Sequence, residues 1–104
     1  MSSFDDREKG FEKKFAYDAE AEFKATARRN RLLGEWAAGL MELENVGDYA
    51  RAVVKSDFEQ PGDDDVLRKV LGDLKGAGLA TTEGEVRGKM DELMAVARAQ
   101  IAEG

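Results

Sequence analysis

Apolar side chains in this chain recur at intervals of three and four residues, and no stretch sustains the polar–apolar alternation of a half-buried strand. Proline occurs once, at Pro61, and β-branched residues are sparse. These features leave helix as the only regular structure the chain can build in quantity, and they predict an all-α fold.

The longest helical segment is expected from about Asp18 to Leu43. Leu33, Trp36, Leu40 and Leu43 form its apolar stripe, with Trp36 assigned to the core. Traced backward through Arg29, Thr26, Glu22 and Ala19, the stripe turns polar or small, so the N-terminal half of this helix is expected to project. Glu20 and Lys24, four residues apart, can support that half by pairing. Gly34 and Gly39 each cost about 1 kcal/mol of helix stability relative to alanine. The expected return is the close approach of a neighbouring helix at both.

A second helix is predicted from Val46 to Phe58, with Val46, Tyr49, Ala50, Val53, Val54 and Phe58 on its apolar face. Glu59-Gln60-Pro61-Gly62 supplies a stop and a turn. The third is expected to start at Asp63, whose carboxylate can cap free N–H groups, while Asp64 and Asp65 complement the helix dipole. Val66, Leu67, Val70, Leu71 and Leu74 form its face, and Gly76-Ala77-Gly78 ends it. The fourth opens with Thr82 and Glu85 at capping-box spacing and continues through Val86, Met90, Leu93, Met94, Ala97 and Ile101. Short connections between four amphipathic helices imply an antiparallel four-helix bundle over residues 18–104.

Residues 1–17 stand apart. Six of the eight aromatic residues fall in the first 36 positions, and Phe4, Phe11 and Phe15 are threaded through dense charge. The segment is too polar to bury itself, which predicts a mobile N-terminal arm. Its phenylalanines, spaced by seven and four, share one face once the segment is helical. Two readings follow: a solvated chain end, or an arm that folds against a partner with the rings as anchors.

Composition narrows the remaining choices. A chain of 104 residues fits one domain. With no histidine and no cysteine, it lacks the commonest general base and metal ligand and any thiol nucleophile, so catalysis is disfavoured and no catalytic residue is assigned. The net charge of -6 disfavours nucleic acid and anionic membrane as partners. No apolar run approaches the roughly 20 residues of a membrane span, and a cytoplasmic protein without direct membrane insertion is expected. Asp63-Asp64-Asp65 departs from calcium-loop spacing and spreads its carboxylates around one helical turn, which favours capping over metal binding. The cluster Arg28-Arg29-Asn30-Arg31 suits acidic surface or nucleotide phosphate, and equally suits a solvated face neutralised by carboxylates elsewhere.

Five stretches together resemble one family. Phe4-Asp-Asp-Arg-Glu8, Ala21-Glu-Phe-Lys24, Ala27-Arg-Arg-Asn-Arg-Leu-Leu-Gly-Glu-Trp-Ala-Ala-Gly39, Ser56-Asp-Phe-Glu-Gln-Pro-Gly-Asp63 and Val66-Leu-Arg-Lys69 look like the zeta-type F1-ATPase inhibitor proteins of α-proteobacteria. The resemblance implies a four-helix bundle with an N-terminal arm that blocks ATP hydrolysis. The implied partners are the α, β and γ subunits of F1-ATPase, the arm entering a catalytic α/β interface near γ and folding there. The protein would then be associated with the membrane-bound ATP synthase through F1. Carried onto this chain, the partner-binding residues are Phe4, Asp5, Arg7, Glu8, Phe11, Glu12 and Phe15, with Arg28, Arg29 and Arg31 as a second candidate set for partner or nucleotide. No cofactor is required; weak binding of ADP or ATP is a family trait, although no phosphate-binding glycine loop is visible. The alternative is a small nucleotide-sensing or adaptor helical bundle with a different protein partner.

Overall fold

The computed structural model describes the backbone of residues 2–103 and the side chains of residues 20–103. Four helices account for the regular structure: α1 (Ser2–Leu40), α2 (Val46–Glu59), α3 (Asp63–Gly76) and α4 (Glu83–Glu103). The side chains of the expected arm, and with them its proposed mobility and its seven partner-binding candidates, lie outside the described residues.

α1 is the hub. Both α2 and α4 pack along it, while α3 closes the far side between them. Cross-helix pairs give the directions: Gly34 meets Ala50, Asn30 meets Asp57 and Phe23 meets Phe58, so α2 runs antiparallel to α1. Glu22 with Arg98 and Trp36 with Lys89 show the same for α4. The up-down-up-down arrangement is the bundle that the periodicity implied. Its core holds Leu33, Ala37, Val53, Val66, Leu67, Val70, Leu74, Val86 and Met90, with Trp36, Tyr49 and Leu93 packed partly buried against it.

Three helix boundaries rest on specific caps. Asn45 accepts a hydrogen bond from the Asp48 N–H at 3.1 Å and starts α2. The Thr82 hydroxyl accepts from the Glu85 N–H at 3.2 Å, which is the cap expected for α4. α3 ends with Gly78 at φ +86°, where the Leu79 N–H reaches the Leu74 carbonyl and the Gly78 N–H reaches Lys75. That double bond is a Schellman motif, and Leu79 packs back on the core.

Several expectations are corrected. α1 stops at Leu40 rather than Leu43, because Glu42 adopts φ +56° and the Leu43 N–H turns back to Ala38, a Schellman motif with glutamate where glycine is usual. Leu40 and Leu43 are exposed, since the buried stripe continues from Leu33 through Ala37 instead. Phe58, placed on the core face of α2, is 60% exposed. Asp63 does not cap α3: the N-cap is Gly62, with no side-chain bond, and the Asp63 carboxylate faces Arg29. The N-terminal half of the expected 18–43 helix does not project as predicted either, because Ala25, Arg29 and Asn30 are buried. Asp64 and Asp65 do sit in the first turn of α3, as the dipole favours.

The two α1 glycines part company. A methyl group at Gly34 would lie 2.6 Å from the Ala50 Cα and 3.2 Å from a Val53 methyl, so only glycine lets α1 and α2 approach this closely. At Gly39 nothing stands within 4 Å, and the expected helix contact is absent. Gly34→Ala should therefore destabilise the fold by about 1–3 kcal/mol through overpacking, whereas Gly39→Ala should stabilise it by up to about 1 kcal/mol through helix propensity. Urea denaturation of both variants distinguishes the signs; a shared sign would contradict this packing.

Candidate partner-binding site

In the turn ahead of Leu33, α1 carries two polar residues that are buried. Arg29 is 3% exposed and Asn30 is 1% exposed. Burying them is costly unless their hydrogen bonds are made, and a connected network makes them. Arg29 donates from Nε to Asn30 Oδ1 at 2.9 Å and from a terminal nitrogen to Asp63 at 2.9 Å. Asn30 in turn donates to Asp57 Oδ2 at 2.9 Å, and the other Asp57 oxygen accepts the Gly62 N–H at 3.2 Å. No buried side-chain nitrogen or oxygen among the described residues lacks a partner. The network ties α1 to the end of α2 and to the α2–α3 turn.

This places the arginine candidates. Arg29 is a structural strut whose guanidinium is committed to Asn30 and Asp63, a role that neither sequence reading of the cluster contained. Arg28 and Arg31 are exposed; Arg28 donates to Gln100 at 3.3 Å, and Arg31 lies 3.4 Å from Glu35. The structure therefore does not gather the three guanidiniums around one point. The triple aspartate disperses likewise: Asp63 meets Arg29, Asp64 meets Arg87 at 2.9 Å, and Asp65 meets Arg68. A second tie holds α1 to α4, where Arg98 Nε donates to Glu22 at 3.1 Å.

Between α1 and the end of α2 the surface opens into a groove of about 410 Å³. Phe23 and Phe58 stand over it, 63% and 60% exposed, with ring centroids 6.0 Å apart and planes tilted by 54°. Ala27, Val54 and Pro61 line it, and among the described residues the lining side chains include the carboxylates of Glu22, Asp57 and Asp63 but no lysine or arginine. Sequence reasoning missed this site by assigning Phe58 to the core. No signal in the sequence marked it, because Phe58 follows Val54 at the spacing of residues that share one helical face.

The ionisable groups set a pH window for the fold. The hydrogen bond from Arg29 holds the Asp63 carboxyl below its usual range, and that from Arg98 does the same for Glu22. Burial, reinforced by the hydrogen bond that its hydroxyl donates to Asp73 at 2.7 Å, raises Tyr49. A depressed carboxylate contributes stability that is present above its unfolded pKa of about 4 and is lost as pH falls through the folded value. A raised tyrosine contributes stability that is complete below about pH 10 and is lost as pH rises through the folded value. Thermal midpoints should thus be level across the neutral range, fall below about pH 4 and fall again above about pH 10. Asp63→Asn should flatten part of the acid limb; a steep change between about pH 6 and 8 would contradict the assignment.

Comparison with known proteins agrees with this geometry. A solution NMR structure of a chain 50% identical to this one superposes with a TM-score of 0.67, the match covering 79% of this chain and 95% of the other. No curated protein matches. The family model described as ATPase inhibitor subunit zeta matches residues 1–100, taking in the N-terminal segment together with almost all of the bundle. The chain belongs to the ATPase inhibitor subunit zeta family.

Proposed function

We propose that this protein inhibits ATP hydrolysis by the F1 sector of ATP synthase, with residues 1–17 as the inhibitory element and the bundle as its mount. The arm enters a catalytic α/β interface near γ and folds there as an amphipathic helix, obstructing the rotation that accompanies hydrolysis. The observation that carries this reading is the family match over residues 1–100. It is supported by the position of the core, whose buried apolar residues among those described run from Ala25 to Ala97. Residues 1–17 precede that core in the sequence, and their charge threaded with phenylalanine suits them to a partner. Phe4, Phe11 and Phe15 are its anchors, with Asp5, Arg7, Glu8 and Glu12 setting register and orientation at the rim.

Addition of the protein to the matching F1 enzyme should suppress ATP hydrolysis, and a variant lacking residues 2–15 should lose that effect while keeping its thermal midpoint. Full inhibition by the truncated chain would move the inhibitory element into the bundle. No inhibition by the intact chain would favour an adaptor role with another partner.

Within the arm, Phe11→Ala and Phe15→Ala should each weaken inhibition by about 2 kcal/mol or more, and Lys13→Ala by much less, because buried aromatic anchors dominate such interfaces and rim charges do not. Dose–response curves of hydrolysis check this. Equal losses in all three variants would indicate diffuse electrostatic attraction instead. With no histidine in the chain, inhibition should also change little between about pH 6.5 and 8 beyond the enzyme's own response.

A further inference from the structure

The Phe23–Phe58 groove is an apolar recess whose two rings stand outside the buried core. Two phenylalanine rings more than half exposed, side by side, are an expensive feature for a charged protein to leave in water, since each ring offers a large apolar area. They are not loosely placed. Phe23 stands on the stretch of α1 that Glu22–Arg98 ties to α4, and Phe58 adjoins Asp57, which the buried Asn30 holds in position. The groove is therefore preorganised, and its occupant does not have to pay for ordering it.

Charge identifies the occupant. Among the described residues, three carboxylates and no cation line the groove. Two of them are already neutralised, Glu22 by Arg98 and Asp63 by Arg29. Asp57 receives only the Asn30 amide and the Gly62 N–H, so its negative charge has no ion-pair partner among the described residues. An apolar slot beside an uncompensated carboxylate fits a segment with an aromatic or branched aliphatic side chain next to a lysine or arginine. A second copy of this chain, with its net charge of -6, is a poor match for that slot.

We infer that the Phe23–Phe58 groove is a second contact with the ATPase, docking a basic segment of the enzyme's outer surface that presents an apolar anchor beside a lysine or arginine. The inference rests on the inhibitor reading. The groove begins within a few residues of the arm on the same helix, so a segment seated there would fix the point from which the arm enters the enzyme. Two contacts made by one chain then act as a tethered pair, the groove raising the effective concentration of the arm at its site.

The test uses full-length Phe23→Ser and Phe58→Ser against the matching F1 enzyme, with wild type alongside. Both rings are exposed, so circular dichroism and the thermal midpoint should match wild type. The concentration needed for half-maximal inhibition should rise at least about tenfold in each variant, mainly through faster release seen when inhibited enzyme is diluted. The variants should also lose part of the salt sensitivity that wild type shows. Wild-type inhibition with unchanged potency in both folded variants would overturn the docking proposal while leaving the inhibitor reading intact. Absence of inhibition by wild type would remove both. Two further outcomes would overturn the assignment of the occupant. A dimer in sedimentation velocity that Phe58→Ser abolishes would show that a second copy fills the groove, and ring-proton shifts at Phe23 and Phe58 on deleting residues 2–15 would show that the arm itself does.

Discussion

The burial of Arg29 and Asn30 constrains more of this molecule than any apolar contact does. A guanidinium and an amide held at 3% and 1% exposure must have their hydrogen bonds made, and the partners available are Asp57 and Asp63, on either side of the α2–α3 turn. That requirement fixes where α2 ends, where α3 begins and how far the turn overlaps α1. It also removes Asp63 from its expected capping role, because a carboxylate committed to Arg29 is not free for the first N–H groups of its own helix. Hydrophobic burial brings the four helices together, but this network decides their register at the end from which the arm emerges. At the opposite side of the α1–α2 contact, Gly34 against Ala50 sets the closest approach of the two helices.

Where apolar period and burial coincide, the sequence was legible: four helices, their order, the faces of α3 and α4, the Thr82 cap and the close approach at Gly34 could all be read from spacing. The misreadings share one cause. Leu40, Leu43 and Phe58 were assigned inward because large apolar residues at helical spacing normally face a core, yet burial depends on whether another helix covers the position. At the end of α1 the chain reverses at Glu42 and leaves Leu40 and Leu43 beyond the packed region. Near the end of α2, Phe58 is 60% exposed beside Phe23 and stays outside the core. The opposite error was made with Arg29 and Asn30, whose polarity suggested solvent. No rule of periodicity distinguishes a solvated arginine from a buried one until its partner, 34 residues away, is known.

The candidate site was half legible for a related reason. The arm announces itself by composition, since phenylalanines threaded through dense charge suggest a contact surface. The groove does not, because it is made from α1, α2 and a turn, and none of the three looks unusual alone. The functional division that results is physical. On the proposed reading the arm carries the anchors, and the bundle supplies a scaffold with a short apolar recess that starts at Glu22.

The two most extensive family-like stretches meet in space. Arg29 and Asn30 from Ala27–Gly39 bond Asp63 and Asp57 from Ser56–Asp63, and Gly34 from the first makes room for α2, the helix that carries the second. Resemblance in those stretches is accounted for by the fold: any chain building this network needs the arginine, the amide and both aspartates at these positions.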